Sequence, residues 1–150
     1  GGTTLNIYRD VLAATWANWS WDTDVDFAAT DNVFAGTKSI GCESLEAFSG
    51  FMLRNETAIN ATNYSQLRFA IYTPDHPSGF PPLLQVYVQP SDSGAASTAA
   101  LVEPNEDEWT VVSIPMTELG NPNSIKVITI QSLADEPLGP FWIDNLQLLP

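Results

Sequence analysis

The chain has 150 residues, 44% of them hydrophobic, and 18 acidic side chains against 5 basic ones give a formal net charge of −13. That length suits a single domain, residues 1–150, with one sizeable core, and no apolar run approaches the roughly 20 residues of a membrane-spanning helix. The short apolar runs speak against membrane insertion; a field of this sign repels phosphate backbones and anionic lipid surfaces, which argues against nucleic acid and leaves neutral polysaccharides and cations open.

In chain order, alternation of apolar and polar residues dominates and helical periodicity is almost absent. "LNIYRD" begins a first strand, and residues 19–27 alternate strictly. Trp19, Trp21, Val25 and Phe27 are expected on one side and Ser20, Asp22, Asp24 and Asp26 on the other. "KSIGCES" puts Ile40 and Cys42 on one face, "AFSGFMLR" follows, and a polar, Asn-rich loop is expected around 55–65. "QLRFAIYT" sets Leu67, Phe69 and Ile71 against Arg68, Ala70 and Tyr72. After a proline-rich loop, "LLQVYVQ" sets Leu84, Val86 and Val88 against Gln85, Tyr87 and Gln89. "EWTVVSIP", "IKVITIQ" and "FWIDNLQLL" complete the strands, with one short helical turn at "MTELG". About nine or ten short strands separated by turns predict an all-β, antiparallel β-sandwich.

The alternation assigns Trp19 and Trp21 to the core with Val25 and Phe27. Trp16 precedes that register and is the expected exposed member, open to a ligand or to packing. The aspartates read as a wet outer face. "DTDVDF" is not an EF-hand loop, because Phe27 stands where glycine is needed and Val33 where the bidentate glutamate belongs.

Catalytic signatures are weak. The one histidine, His76, lies in the proline-rich loop without a Gly-x-Ser-x-Gly turn. Zinc-type His and Cys clusters are absent, and Cys42 is expected to be a buried, inert thiol. The acids Glu43, Glu46, Glu103, Glu106, Asp107 and Glu108 flank turns or loops, and none of these shows the alternating acidic signature of a glucanase. Acceptor sites for N-glycosylation at Asn18, Asn55, Asn60 and Asn63 point to a secreted glycoprotein. No basic start is followed by an apolar stretch, so a secretory leader would already have been removed.

The segments "LNIYRDVLAATWANWSW", "VFAGTKSI", "YSQLRFAIYT", "LLQVYVQ", "EWTVVSIPMTELG" and "FWIDNLQLL", in that order, resemble the β-sandwich carbohydrate-binding modules of secreted glycoside-active and cell-wall proteins. The resemblance implies a jelly roll and non-catalytic binding of polysaccharide or oligosaccharide, within a larger secreted or cell-wall protein. It also implies a structural calcium ion, held by Asp10, by backbone carbonyls around Thr37 and Lys38, and by Asp144. For the sugar, the residues that suit stacking and hydroxyl recognition are Arg68, Tyr72, Gln85, Tyr87 and Gln89, with Trp16 as a further contact and Phe48 and Phe80 as loop candidates. An extracellular adhesion domain and a small glycan-cleaving enzyme are the alternatives, since one sandwich serves many functions.

Overall fold

A computed structural model describes residues 2–74 and 82–150; His76 and Phe80 lie outside the described residues. The strands are β1 Leu5–Tyr8, β2 Trp16–Asn18, β3 Thr23–Ala29, β4 Ser39–Ser44, β5 Gly50–Asn60, β6 Gln66–Tyr72, β7 Leu84–Gln89, β8 Ala100–Val102, β9 Trp109–Pro115, β10 Ser124–Ser132 and β11 Gly139–Leu149. A back sheet runs β3-β4-β11-β6-β9, with β1 pairing the C-terminal half of β11, and a front sheet runs β2-β5-β10-β7-β8. The ladders between these strands are antiparallel. The expected antiparallel sandwich is therefore the fold, with eleven strands among the described residues rather than nine or ten.

The two-residue period builds the core directly. Leu67, Phe69 and Ile71 of β6 and Ile143 of β11 face Leu53 of β5, Val86 of β7 and Ile128 of β10, all of them buried in one cluster. Burial of that apolar surface is the main force holding the sheets together. Cys42 sits in the same cluster, and burial pushes its thiol up, as expected of an inert cysteine. The short helical turn is also present, as a 3-10 turn over Met116–Leu119 closed by Gly120 at φ 77°.

Two local expectations are corrected. The Asn-rich segment is not a loop up to Ser65, because β5 continues to Asn60 before a 3-10 turn over Ala61–Asn63. Its polar end pairs with β10 through Ile59–Ile125 and Asn60–Ser124, and such pairing overrides weak strand propensity. Nor is 19–27 a single strand. Asp22 adopts φ 50°, breaking the run where the chain passes from the front sheet to β3 of the back sheet. The left-handed residue reverses the register, so the side of Trp19 and Trp21 no longer predicts that of Val25 and Phe27.

Candidate functional site

The outer face of the front sheet is built by register. On the central strand β10, Ile128 and Ile130 point inward, which turns Val127, Thr129 and Gln131 outward. Met52 and Tyr87 flank Thr129, Arg54 and Gln89 flank Val127, and Gly50 and Gln85 flank Gln131. Val127 and Thr129, short side chains on the middle strand, thus lie between longer ones that leave them 1% and 0% exposed, the covered floor of a trough along β10.

One wall carries two indoles. Trp21 pairs with Gly50 through reciprocal backbone hydrogen bonds of 3.0 and 3.1 Å. Its ring lies across that glycine so closely that a Cβ there would overlap the indole. The Nε1–H donates to the Phe48 carbonyl at 3.1 Å, which also receives Gln131 Nε2 at 3.1 Å. Glycine thus lets an aromatic plate lie flat on the sheet, with Trp21 half-buried. Trp19 is 44% exposed, with the Arg54 guanidinium 5.0 Å from its ring centre. Asp92 accepts two hydrogen bonds from Arg54 at 3.0 and 3.1 Å and also meets Lys126 Nζ at 3.1 Å; Arg54 first, then Lys126, hold its carboxyl down at about 2. The opposite wall offers Gln85, paired to Gln131 at 2.8 Å, then Tyr87, then Gln89, which donates to the Gly94 carbonyl at 2.8 Å.

The tryptophan assignments are therefore reversed. Trp16, expected outside, is 6% exposed and part of the core, whereas Trp19 and Trp21 face outward. Spacing placed these last two on a common side correctly; the break at Asp22 hid which side it was.

The predicted sugar contacts also divide. Arg68 and Tyr72 lie on β6, on the outer face of the back sheet, a sandwich thickness away from Gln85, Tyr87 and Gln89 on β7. Around Tyr72 stand Trp109 at 5.8 Å and Trp142 at 5.9 Å between ring centres, and Phe34 lies 5.5 Å from Trp109. These rings meet at 56–74°. Their indole N–H groups are taken by Asn32 at 3.1 Å and Asp31 at 3.2 Å. They pack tilted or edge-on to one another, and Asn32 and Asp31 tie the two indoles to the segment that carries Phe34. Beside Trp142 a groove of about 330 Å³ is lined by Asp24, Asp26, Asp31, Glu43 and Pro140. The aspartates of β3 are exposed, as expected.

A model of the expansin-like protein C-terminal domain matches residues 7–149. The chain belongs to this family. No curated protein matches the sequence. Among solved structures, this expansin-like domain is similar to a family 29 carbohydrate-binding module variant in complex with mannohexaose, at 15% identity over 97% of this chain and 90% of that one, TM-score 0.70. A second variant of that module, in complex with cellulohexaose, aligns at 16% identity over 97% and 89%, TM-score 0.69. A family 11 module from Clostridium thermocellum, in complex with a β-1,3-1,4-mixed-linked tetrasaccharide, aligns at 10% identity over 99% and 97%, TM-score 0.66. The fold of the expansin-like domain is thus the carbohydrate-binding-module sandwich that its segments resemble.

The residues expected at calcium do gather in this expansin-like domain. Asp10, at φ 61°, follows β1, and its Oδ1 accepts the amides of Thr37 at 3.0 Å and Lys38 at 3.1 Å. These amides hold its carboxyl below the usual range. Asp144, on β11, is fully buried, with Oδ2 accepting Phe34 N and Ala35 N at 3.1 Å each and Oδ1 accepting Asn145 N at 2.8 Å. Burial raises its pKa, and the neighbouring charge of Asp10 raises it further. Burial together with Asp144, Asp10 and Asp26 also pushes the Tyr8 phenol up to about 12. The backbone at Thr37 and Lys38 therefore meets Asp10 with N–H groups. Among the described residues, no three His, Cys, Asp or Glu side chains form a metal-holding group.

Of the predicted glycosylation sites, Asn18, Asn60 and Asn63 are exposed. Asn55 is a correction. It is 6% exposed, and its Nδ2 donates to the Thr57 carbonyl at 2.9 Å, so the amide is not presented to solvent. Sequence reading missed Trp19, Trp21, Met52, Arg54 and Gln131 on the front face. The available sign was Gly50 opposite an aromatic strand, visible only once the pairing is known.

Proposed function

We propose that this expansin-like domain is a non-catalytic module that binds neutral polysaccharide outside the cell, through the outer face of its front sheet. The observation that carries the reading is the Trp21 indole lying flat over Gly50. A fixed, half-open aromatic plane can stack against the C–H face of a pyranose. Beside it, the amides of Gln85, Gln89 and Gln131 and the Arg54 guanidinium can bridge sugar hydroxyls. The mannohexaose, cellulohexaose and mixed-linked glucan held by the solved modules are neutral chains of this kind, and a net charge of −13 disfavours acidic polymers.

Glycoside hydrolysis requires one carboxyl of raised pKa facing a second across a cleft. At the rim of the trough, Asp92 is held low at about 2 by Arg54 and Lys126, the reverse of a general acid.

Isothermal titration with mannohexaose, cellulohexaose and mixed-linked tetrasaccharide tests the site. Trp21→Ala is expected to lose about tenfold or more in affinity for whichever chain binds, with a melting temperature close to that of the parent. The reading is wrong if Trp21→Ala binds normally while Tyr72→Ala or Trp142→Ala does not.

Calcium belongs to the same proposal. A buried carboxylate that rests on backbone amides, with a second carboxylate beside it, is a setting that a hard cation would relieve. Asp10 and Asp144 would hold the ion, tying the first strand to the last and screening their mutual repulsion. Adding millimolar calcium to chelator-treated protein should raise the melting temperature by about 5 °C or more. No rise with calcium, alongside an unchanged Asp10→Asn variant, removes the ion from the account.

A further inference from the structure

Thr129 occupies the centre of the front sheet, on its outer side, and has no exposed surface. Its Oγ1 is buried and, among the described residues, has no hydrogen-bond partner. Buried hydroxyls in folded proteins are nearly always paired, and one that is not requires a reason. Packing supplies none. The neighbouring outward residue on the same strand is Val127, 1% exposed, and valine has the shape of threonine without the hydroxyl. A second valine at 129 would fill the trough floor equally well and leave nothing unpaired.

The register shows what stands beside Thr129. Met52 of β5 and Tyr87 of β7 are its direct cross-strand neighbours, one on each wall, and both are half-buried. Methionine has three rotatable bonds and reshapes readily around a guest. Gln131 and Gln85, one step along the trough, pair with each other at 2.8 Å. Because Thr129 has no exposed surface, the side chains around it close over it in the free protein.

We propose that the Thr129 hydroxyl is the floor of a closed sugar subsite, left unpaired in the free domain and satisfied by an unsubstituted hydroxyl of a neutral glycan when Met52 and Tyr87 move apart. This inference rests on the front face being the binding surface. It deepens that reading by naming a specificity determinant. The trough admits a bare hydroxyl between its walls, whereas an O-acyl group or a glycosyl branch at the same position would meet Met52 or Tyr87. The domain should therefore select undecorated stretches of chain.

The opposite signs of two effects make the test. Thr129→Val should melt at the parent temperature or above, because it removes an unpaired buried hydroxyl. It should bind the best hexaose about five- to tenfold more weakly, the loss of one hydrogen bond. Thr129→Ser, which restores the donor, should keep most of the affinity. The parent should prefer unsubstituted mannohexaose or cellulohexaose over O-acetylated forms, and Thr129→Val should lose part of that preference. Three outcomes overturn the proposal: parental affinity in Thr129→Val, a lowered melting temperature in that variant, or equal binding of acetylated and bare chains by the parent. If Trp21→Ala is also without effect, the front face itself is not the site and both readings fail. If Trp21→Ala is impaired while Thr129→Val binds normally, only the subsite fails.

Discussion

Phe69→Ala is expected to cost about 3–5 kcal/mol of folding stability, the range for truncating a fully buried phenylalanine. Phe69 lies in the middle of β6, which pairs with β11 on one side and β9 on the other, and its side chain has no exposed surface. The loss has two parts: the transfer free energy of the ring and the cavity left where neighbouring strands are too tightly hydrogen-bonded to collapse. Against a total stability of about 5–15 kcal/mol for a domain of this kind, the variant should unfold at a clearly lower urea midpoint. An unchanged slope would show that the same surface is exposed on unfolding. A shift under 1 kcal/mol would mean that the core at this point can repack, contrary to the close pairing on both flanks.

Asp144→Ala is expected to cost about 2–4 kcal/mol, and here two effects oppose each other. Removing the carboxylate leaves the amides of Phe34, Ala35 and Asn145 without their acceptor. It also removes a buried charge that Asp10 repels. Three orphaned amide donors outweigh one relieved charge, so the net sign is destabilising. The segment released is the one that places Asp31, Asn32 and Phe34 against Trp142 and Trp109, so tryptophan fluorescence should change as well. Glycan affinity on the other face should be retained.

The pH dependence of this site follows from the shift of Asp144. Its carboxyl holds a proton more tightly folded than unfolded, so its contribution is complete below about pH 4, the unfolded value, and is lost as pH rises through the raised folded value. Asp10 and Asp92, both held low, act with the opposite sign: they contribute above the unfolded value and lose it as acid titrates them. Urea midpoints in chelator should therefore fall for the parent as pH climbs out of the acid range. Asp144→Asn should flatten that fall, and a curve of unchanged slope would show that Asp144 is not its source.

Much of this architecture is written in a period of two. The buried faces of β6 and β7 fall where alternation places them, as do Ile40 and Cys42 on β4. The short turn after β9 and the closing strand are likewise legible, because each side chain's direction follows from its neighbours' along one strand. The same rule is silent about anything that happens between strands. It told inside from outside for Arg68, Tyr72, Gln85, Tyr87 and Gln89, yet not that β6 and β7 belong to opposite sheets. One predicted sugar site thereby became halves of two faces.

By itself, then, the sequence determined the class of fold, the membership of the core on regular strands and the charge that disfavours anionic partners. Tertiary structure decided the rest. It set Trp19 and Trp21 outside and Trp16 inside, because a single left-handed residue at Asp22 reverses alternation as the chain changes sheet. It brought Gly50 under Trp21, Thr129 between Met52 and Tyr87, and Asp10 beside Asp144, residues far apart in the chain. Those placements depend on strand pairing and register, which the burial energy of the whole core selects and no local pattern encodes.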